Sequence, residues 1–169
     1  MRRVYLLRHA KSSWKDRSLA DRDRPLARRG KRAAQAVAGH IEAERIRPDL
    51  VLCSPARRSR ETLERVMVAF GERVETRFEE ALYGASEAEL RACLHALPPE
   101  VGSVMIVGHN PGLEDLALAL ASEGADRARL EAKFPTAALA TIDLPANDWS
   151  AIDRGSGELV AYVRPRDLD

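Results

Sequence analysis

The chain lacks an excess of charge of either sign: 27 lysines and arginines stand against 26 aspartates and glutamates, a formal net charge of +1 over 169 residues. A global field that would attract nucleic acid or an acidic membrane is therefore excluded, and any positive potential that matters must be local. Cysteine is also scarce. Cys53 and Cys93 have neither the paired spacing of a zinc site nor that of a disulfide framework, so both read as small apolar residues of a protein kept in a reducing compartment. Long hydrophobic runs are missing: the first apolar run ends at Leu7, shorter than a signal-peptide core, and nothing approaches the ~20 apolar residues of a membrane span. Neither an internal repeat nor a low-complexity linker is present. The four histidines include no H-x-H pair, so no metal site is expected. These absences leave a cytoplasmic monomer of ordinary domain size, long enough to bury a core without staples.

What is present alternates between two periods. Val4–Leu7, Asp49–Ser54 and Ser103–His109 are short apolar runs of the kind that form fully buried strands, and Val74–Phe78 is a weaker candidate. Between them the spacing predicts helices over Leu26–Ile46, Ala56–Phe70 and Glu87–Leu97, and another from Pro111 or Gly112 to Gly124. Strand, helix, strand, helix is the grammar of a parallel sheet covered on both faces. The last two strands, Ala137–Leu144 and Glu158–Pro165, have no helix between them and are expected to pair antiparallel at the sheet edge. The fold class is therefore α/β, a three-layer α/β/α sandwich with a mostly parallel sheet and an antiparallel C-terminal edge hairpin.

Ligands of open α/β sheets sit beyond the carboxyl ends of the strands. Arg8 and His9 follow the first apolar run, His109 ends the third, and Ser54 ends the second just before Arg57, Arg58 and Arg60. Cations in the first turn of a helix oppose its dipole, so one that faces the crevice implies an anion there. Helical spacing cannot send all three inward, and Arg57 and Arg60 read as solvated. His40 and His95 lie on helices and read as surface or packing residues, whereas His9 and His109 terminate strands.

Four segments, LLRHAKSSW, RPLARRG, SPARRSRET and VGHNPGLEDLA, occur in this order. Together they resemble the histidine phosphatase superfamily, which is phosphoglycerate mutase-like in fold, and specifically its small SixA-type phosphohistidine phosphatase branch. The resemblance implies one histidine phosphatase domain over residues 1–169 without a lid insertion. It makes His9 the nucleophile that takes the phosphoryl group, with Arg8, Arg58 and His109 binding the phosphoryl oxygens. Guanidinium forks hold such oxygens bidentately while neutralising their charge, so no metal or other cofactor is called for. The second nitrogen of His9 should donate to a backbone carbonyl, which fixes the tautomer and aims the ring.

Two positions depart from the superfamily pattern. Ala10 stands where a glycine is usual, and Lys15 replaces an asparagine of the mutase-type signature, while Ser12 keeps its serine. Ser12 and Lys15 are candidate phosphate contacts or exposed loop residues. Trp14 is expected to anchor its loop and Asp23 to order the turn before the long helix. In FEEALYG, Glu80 matches the proton donor of mutase-type members; that role needs a pKa raised by the site, and the other reading is a surface carboxylate. Phe70–Ser103 leaves no room for the lid of sugar-phosphate enzymes, so the site should be shallow and open. Three functions fit: a phosphatase for phosphohistidine on a phosphorylated partner, either a histidine phosphotransfer domain or a phosphocarrier protein; a hydrolase of a small phosphate ester; and a non-catalytic phosphate-binding module. The last is disfavoured because binding alone needs no nucleophile.

Overall fold

A computed structural model describes residues 1–169 and contains one seven-stranded sheet. In chain order the elements are β1 (Arg2–Arg8), α1 (Arg28–Ala43), β2 (Leu50–Cys53), α2 (Arg57–Val66), β3 (Glu75–Phe78), α3 (Glu87–His95), β4 (Ser103–Gly108), α4 (Gly112–Leu120), β5 (Ala121–Glu123), α5 (Arg127–Ala132), β6 (Leu139–Leu144) and β7 (Gly157–Val163). The sheet order is β3-β2-β4-β1-β6-β7-β5. β1, β2, β3 and β4 run parallel, β6 pairs antiparallel with both β1 and β7, and β5 pairs parallel with β7. No helix is long and apolar enough to cross a membrane.

The apolar strands are buried on both faces, as central parallel strands must be. Alternate residues feed two cores: Val4, Leu6, Val104 and Ile106 pack under α3 and α4, while Tyr5, Leu7, Met105 and Val107 pack under α1 and α2. α1 buries Ala34, Val37, Ala38 and Ile41, one stripe at helical spacing. α3 starts on a capping box in which Ser86 Oγ accepts from the Glu89 N–H and the Glu89 carboxylate accepts from the Ser86 N–H, so two orphan donors are satisfied reciprocally.

Several expected boundaries move. α1 begins at Arg28 rather than Leu26, because Ser12 and Leu26 form an antiparallel bridge and the Ala27 N–H donates to the Lys11 carbonyl. α2 tightens into a 3₁₀ turn at Met67–Phe70. α4 stops at Leu120 rather than near Gly124, since the Arg127 guanidinium donates to the Leu118 and Ala121 carbonyls and the chain then pairs with β7 as β5. The C-terminal hairpin is antiparallel as expected but lies one strand in from the edge, because β5 covers it. The short helix α5 follows, at a segment for which the sequence pattern predicts no element.

β2, β4 and β1 are neighbours, so their carboxyl ends, with Ser54, His109 and His9, meet at one place. β6 runs the other way, which brings the segment before it to the same end: the Ala137 N–H donates to the carbonyls of Arg8 and His9.

Candidate active site

A cleft of about 470 Å³ opens at these strand ends, lined among others by Arg8, His9, Ser12, Arg58, Tyr83 and His109. His9 is only 8% exposed. Its Nδ1–H donates to the Ala10 carbonyl at 2.7 Å, which leaves Nε2 unprotonated and without a protein partner at the cleft. Ala10 is fully buried, and its N–H donates to Thr62 Oγ1, which in turn donates to the Arg58 carbonyl. The residue after the histidine is thus locked to α2 by hydrogen bonds as well as packing. Burial, reinforced by the nearby His109, Arg58 and Arg8, pushes the His9 pKa down to about 3 against the pull of its backbone hydrogen bond. His109 is pushed down to about 4 by burial and by Arg58. Both rings are neutral at neutral pH, with centroids 5.2 Å apart.

The arginines are held by protein groups that leave part of each fork unengaged. Arg8 Nη1 donates to the Phe134 carbonyl at 3.1 Å, and its Nε is a buried donor with no partner. Arg58, 7% exposed in the first turn of α2, donates from Nη1 to the Asp21 carbonyl and from Nη2 to Asp21 Oδ2 at 2.8 and 3.0 Å, and its Nε is likewise unpaired. Buried donors without acceptors cost stability; both residues also line the cleft, where the remaining Nη–H donors of their forks can meet an oxyanion. Arg57 and Arg60 point elsewhere: Arg57 pairs with Glu61, and Arg60 donates to the Pro55 carbonyl. His109 Nε2 is hydrogen-bonded to Ser54 Oγ at 2.7 Å, so its Nδ1 is the nitrogen available to a ligand.

Two further residues shape the site: Arg24, which opens the RPLARRG segment, and Asp21, three residues before it. Arg24, 7% exposed, bridges Ser12 Oγ at 2.8 Å and Asp21 Oδ1 at 3.2 Å. The Asp21 carboxylate also accepts from Tyr83 O–H, and that bond together with Arg58 holds its pKa at about 2. Asp21, and not the expected Asp23, orders the turn before α1. Two arginines and a tyrosine at the cleft are therefore positioned by one carboxylate.

The remaining sequence candidates divide. Ser12 lines the cleft and is engaged by Arg24. Lys15 is exposed and does not line it; Lys11 does. Trp14 lies at the mouth, 70% exposed beneath the Arg24 guanidinium at 3.5 Å from the ring centroid, rather than anchoring the loop inside. Glu80 is the clearest departure. The side chain is 69% exposed, does not line the cleft, and is paired with Arg22 at 2.6 Å; that hydrogen bond lowers its pKa, the opposite of what a general acid requires. The segment instead turns Tyr83 and Gly84 into the cleft. His95 Nε2–H donates to the Ile152 carbonyl as a packing residue, and burial pushes the Cys53 thiol up to about 12, which makes it inert. No three His, Cys, Asp or Glu side chains converge to hold a metal ion.

Comparison with known proteins agrees with this geometry. Residues 4–102 match the histidine phosphatase superfamily, branch 1. An uncharacterized protein of Mycobacterium tuberculosis, Rv1276c, is 38% identical over 164 residues, 95% of this chain and 100% of that protein. A candidate phosphohistidine phosphatase SixA from Agrobacterium tumefaciens superposes with a TM-score of 0.81 at 32% identity, over 97% of this chain and 98% of that one. The protein histidine phosphatase SixA solved with tungstate gives a TM-score of 0.80 at 25% identity, over 99% of both chains. The chain therefore belongs to the histidine phosphatase superfamily, branch 1, and its structure lies close to the SixA phosphohistidine phosphatases.

Proposed function

We propose that this protein is a phosphatase that works through a phosphohistidine on His9, and that its substrate is phosphohistidine displayed on a signalling or phosphocarrier protein. The observation that carries the reading is the orientation of His9: a neutral ring, tethered through Nδ1, presents Nε2 among Arg8, Arg58 and His109. In the first step Nε2 forms a bond to phosphorus while the bond from phosphorus to the leaving nitrogen breaks; the departing imidazole takes a proton from solvent. Water then cleaves the enzyme phosphohistidine and releases inorganic phosphate. The charge on the phosphoryl oxygens is met by Arg8 and Arg58, and an arriving dianion raises the pKa of His109 toward the form that donates to it. Similarity to a SixA solved with tungstate, a tetrahedral oxyanion, supports an oxyanion site.

The absence of a required acid fits a nitrogen leaving group, because Glu80 is committed to Arg22. The open cleft of about 470 Å³ is also within the size range of small-ligand sites, which keeps hydrolysis of a small phosphate ester as the second reading. Wild type and His9→Ala are to be compared on a phosphorylated histidine phosphotransfer domain and on a panel of small esters. We expect faster, His9-dependent release from the protein, with alkali-stable phosphate trapped on His9 and a folded but inactive variant. Turnover that survives His9→Ala would sink the nucleophile, and preference for one ester would sink the protein substrate.

A further inference from the structure

A second groove, also about 470 Å³, adjoins the cleft and shares Lys11 and Thr136 with it. Its charged lining is Lys11, Arg29, Arg32, Arg164 and Arg166 against the single acid Asp169. We infer that this groove is a docking site for an acidic segment of the phosphorylated partner protein, lying beside the phosphohistidine that enters the cleft; the inference rests on the phosphatase reading above.

The cations come from three separate parts of the chain: the loop after β1, the first turns of α1 and the C-terminal turn. Arg164 is engaged by Asp167 through two hydrogen bonds, whereas Lys11, Arg29, Arg32 and Arg166 form no ion pair. The first turn of α1 holds no acidic residue, so the positive end of the helix dipole adds to the field of Arg29 and Arg32 instead of opposing it. Self-repulsion of this kind is unfavourable in the free protein, and in a chain whose net charge is only +1 it is concentrated on the face next to the catalytic histidine.

The form of the groove selects the ligand. Arg8, half-buried, and Arg58, buried, have anchored forks, as suits one phosphoryl group; Arg29, Arg32 and Arg166 are exposed and spread along the groove, as suits carboxylates distributed on a chain. The lining offers no aromatic ring to stack on a base or sugar. Complementary charge of this sort acts mainly on encounter and register, which would let an open, lidless site discriminate among phosphoproteins.

The test uses Arg29→Glu/Arg32→Glu, two exposed positions outside the cleft lining. Binding of a fluorescein-labelled oligoglutamate peptide, read by anisotropy across a salt series, needs no turnover. We expect salt-sensitive binding to wild type that weakens by about tenfold or more in the variant. On the phosphorylated phosphotransfer domain kcat/KM should fall by a similar factor, while kcat/KM on p-nitrophenyl phosphate stays unchanged. Peptide binding that is absent from wild type or unchanged in the variant would overturn the groove assignment, as would a parallel loss on p-nitrophenyl phosphate. Tighter binding of inorganic pyrophosphate than of the peptide, lost in the same variant, would overturn the acidic segment in favour of a small diphosphate. If wild type releases no phosphate from the phosphoprotein yet binds the peptide through Arg29 and Arg32, the phosphatase reading fails and the groove stands.

Discussion

An imidazole in water titrates near pH 6.5, so at pH 5 only about 3% of it carries the free lone pair that attacks phosphorus. His9 avoids this limit because burial and three cationic or ring neighbours hold its pKa at about 3, and the hydrogen bond to Ala10 fixes which nitrogen keeps the pair. Since kcat/KM reports the free enzyme, it should stay level between pH 7 and pH 5 after correction for substrate ionisation, and decline only as pH falls toward the pKa values of His109 and His9, about 4 and 3. A profile that falls with a midpoint near 6.5 would show that His9 titrates as in water. Glu80→Gln should leave both the rate and this profile within about twofold, because an exposed surface ion pair contributes little; a tenfold loss would return the proton-donor role to Glu80. At this same scale Asp21 carries equal weight with the other residues that line the cleft, since it orients Arg58, Arg24 and Tyr83 together.

Among the elements, α1 and the loop after β1 show how His9 is held by contacts it does not make itself. Gly30 sits where a Cβ would come within 2.1 Å of the Lys11 carbonyl oxygen, a backbone atom that cannot swing aside. The glycine of RPLARRG is therefore a packing requirement: it lets the helix close on the strand end that carries His9. Gly112, whose Cβ would meet the Ala85 carbonyl at 2.2 Å, plays the same part where α4 approaches the turn after Tyr83. Gly30→Ala should destabilise the fold by about 1–3 kcal/mol, the usual range for overpacking, and should also lower kcat as the Lys11 backbone shifts; denaturant melts and rates on p-nitrophenyl phosphate check both. Unchanged stability would mean that the loop yields freely and that the close approach does not position the site.

For the molecule as a whole, the sheet supplies rigidity and the loops supply chemistry. Leu6, fully buried in central β1 beneath α3 and α4, does not line the cleft, so its truncation separates the two roles. Leu6→Ala should cost about 2–5 kcal/mol, which for a chain of this size lowers Tm by roughly 2–4 °C per kcal/mol, while kcat measured well below the transition stays close to wild type. A large fall in kcat at low temperature would show that core packing transmits to His9. The open sheet end also accounts for the absence of a lid: between Phe70 and Ser103 the chain forms only β3, a 3₁₀ turn and α3.

What the sequence determined by itself was the alternation of periods and the identity of residues at strand ends. Apolar runs and amphipathic stretches are local patterns, so β1, β2, β4, α1 to α4 and the placement of His9 and His109 at strand ends were legible in the sequence, while the family resemblance picked Arg58 out of its neighbours. The tertiary structure alone decided the pairings that cross the chain. Asp21 meets Arg58 across 37 positions and Tyr83 across 62, the Arg22 guanidinium holds Glu80 away from the cleft, and β5 and α5 exist because Arg127 and β7 take up the backbone after α4. The basic groove is of the same kind. Its cations are spread from Lys11 to Arg166 and form one field only because the sheet brings the C-terminal turn beside α1. Charge and hydrogen bonding act through space, and where distant segments meet is set by the packing of the two cores.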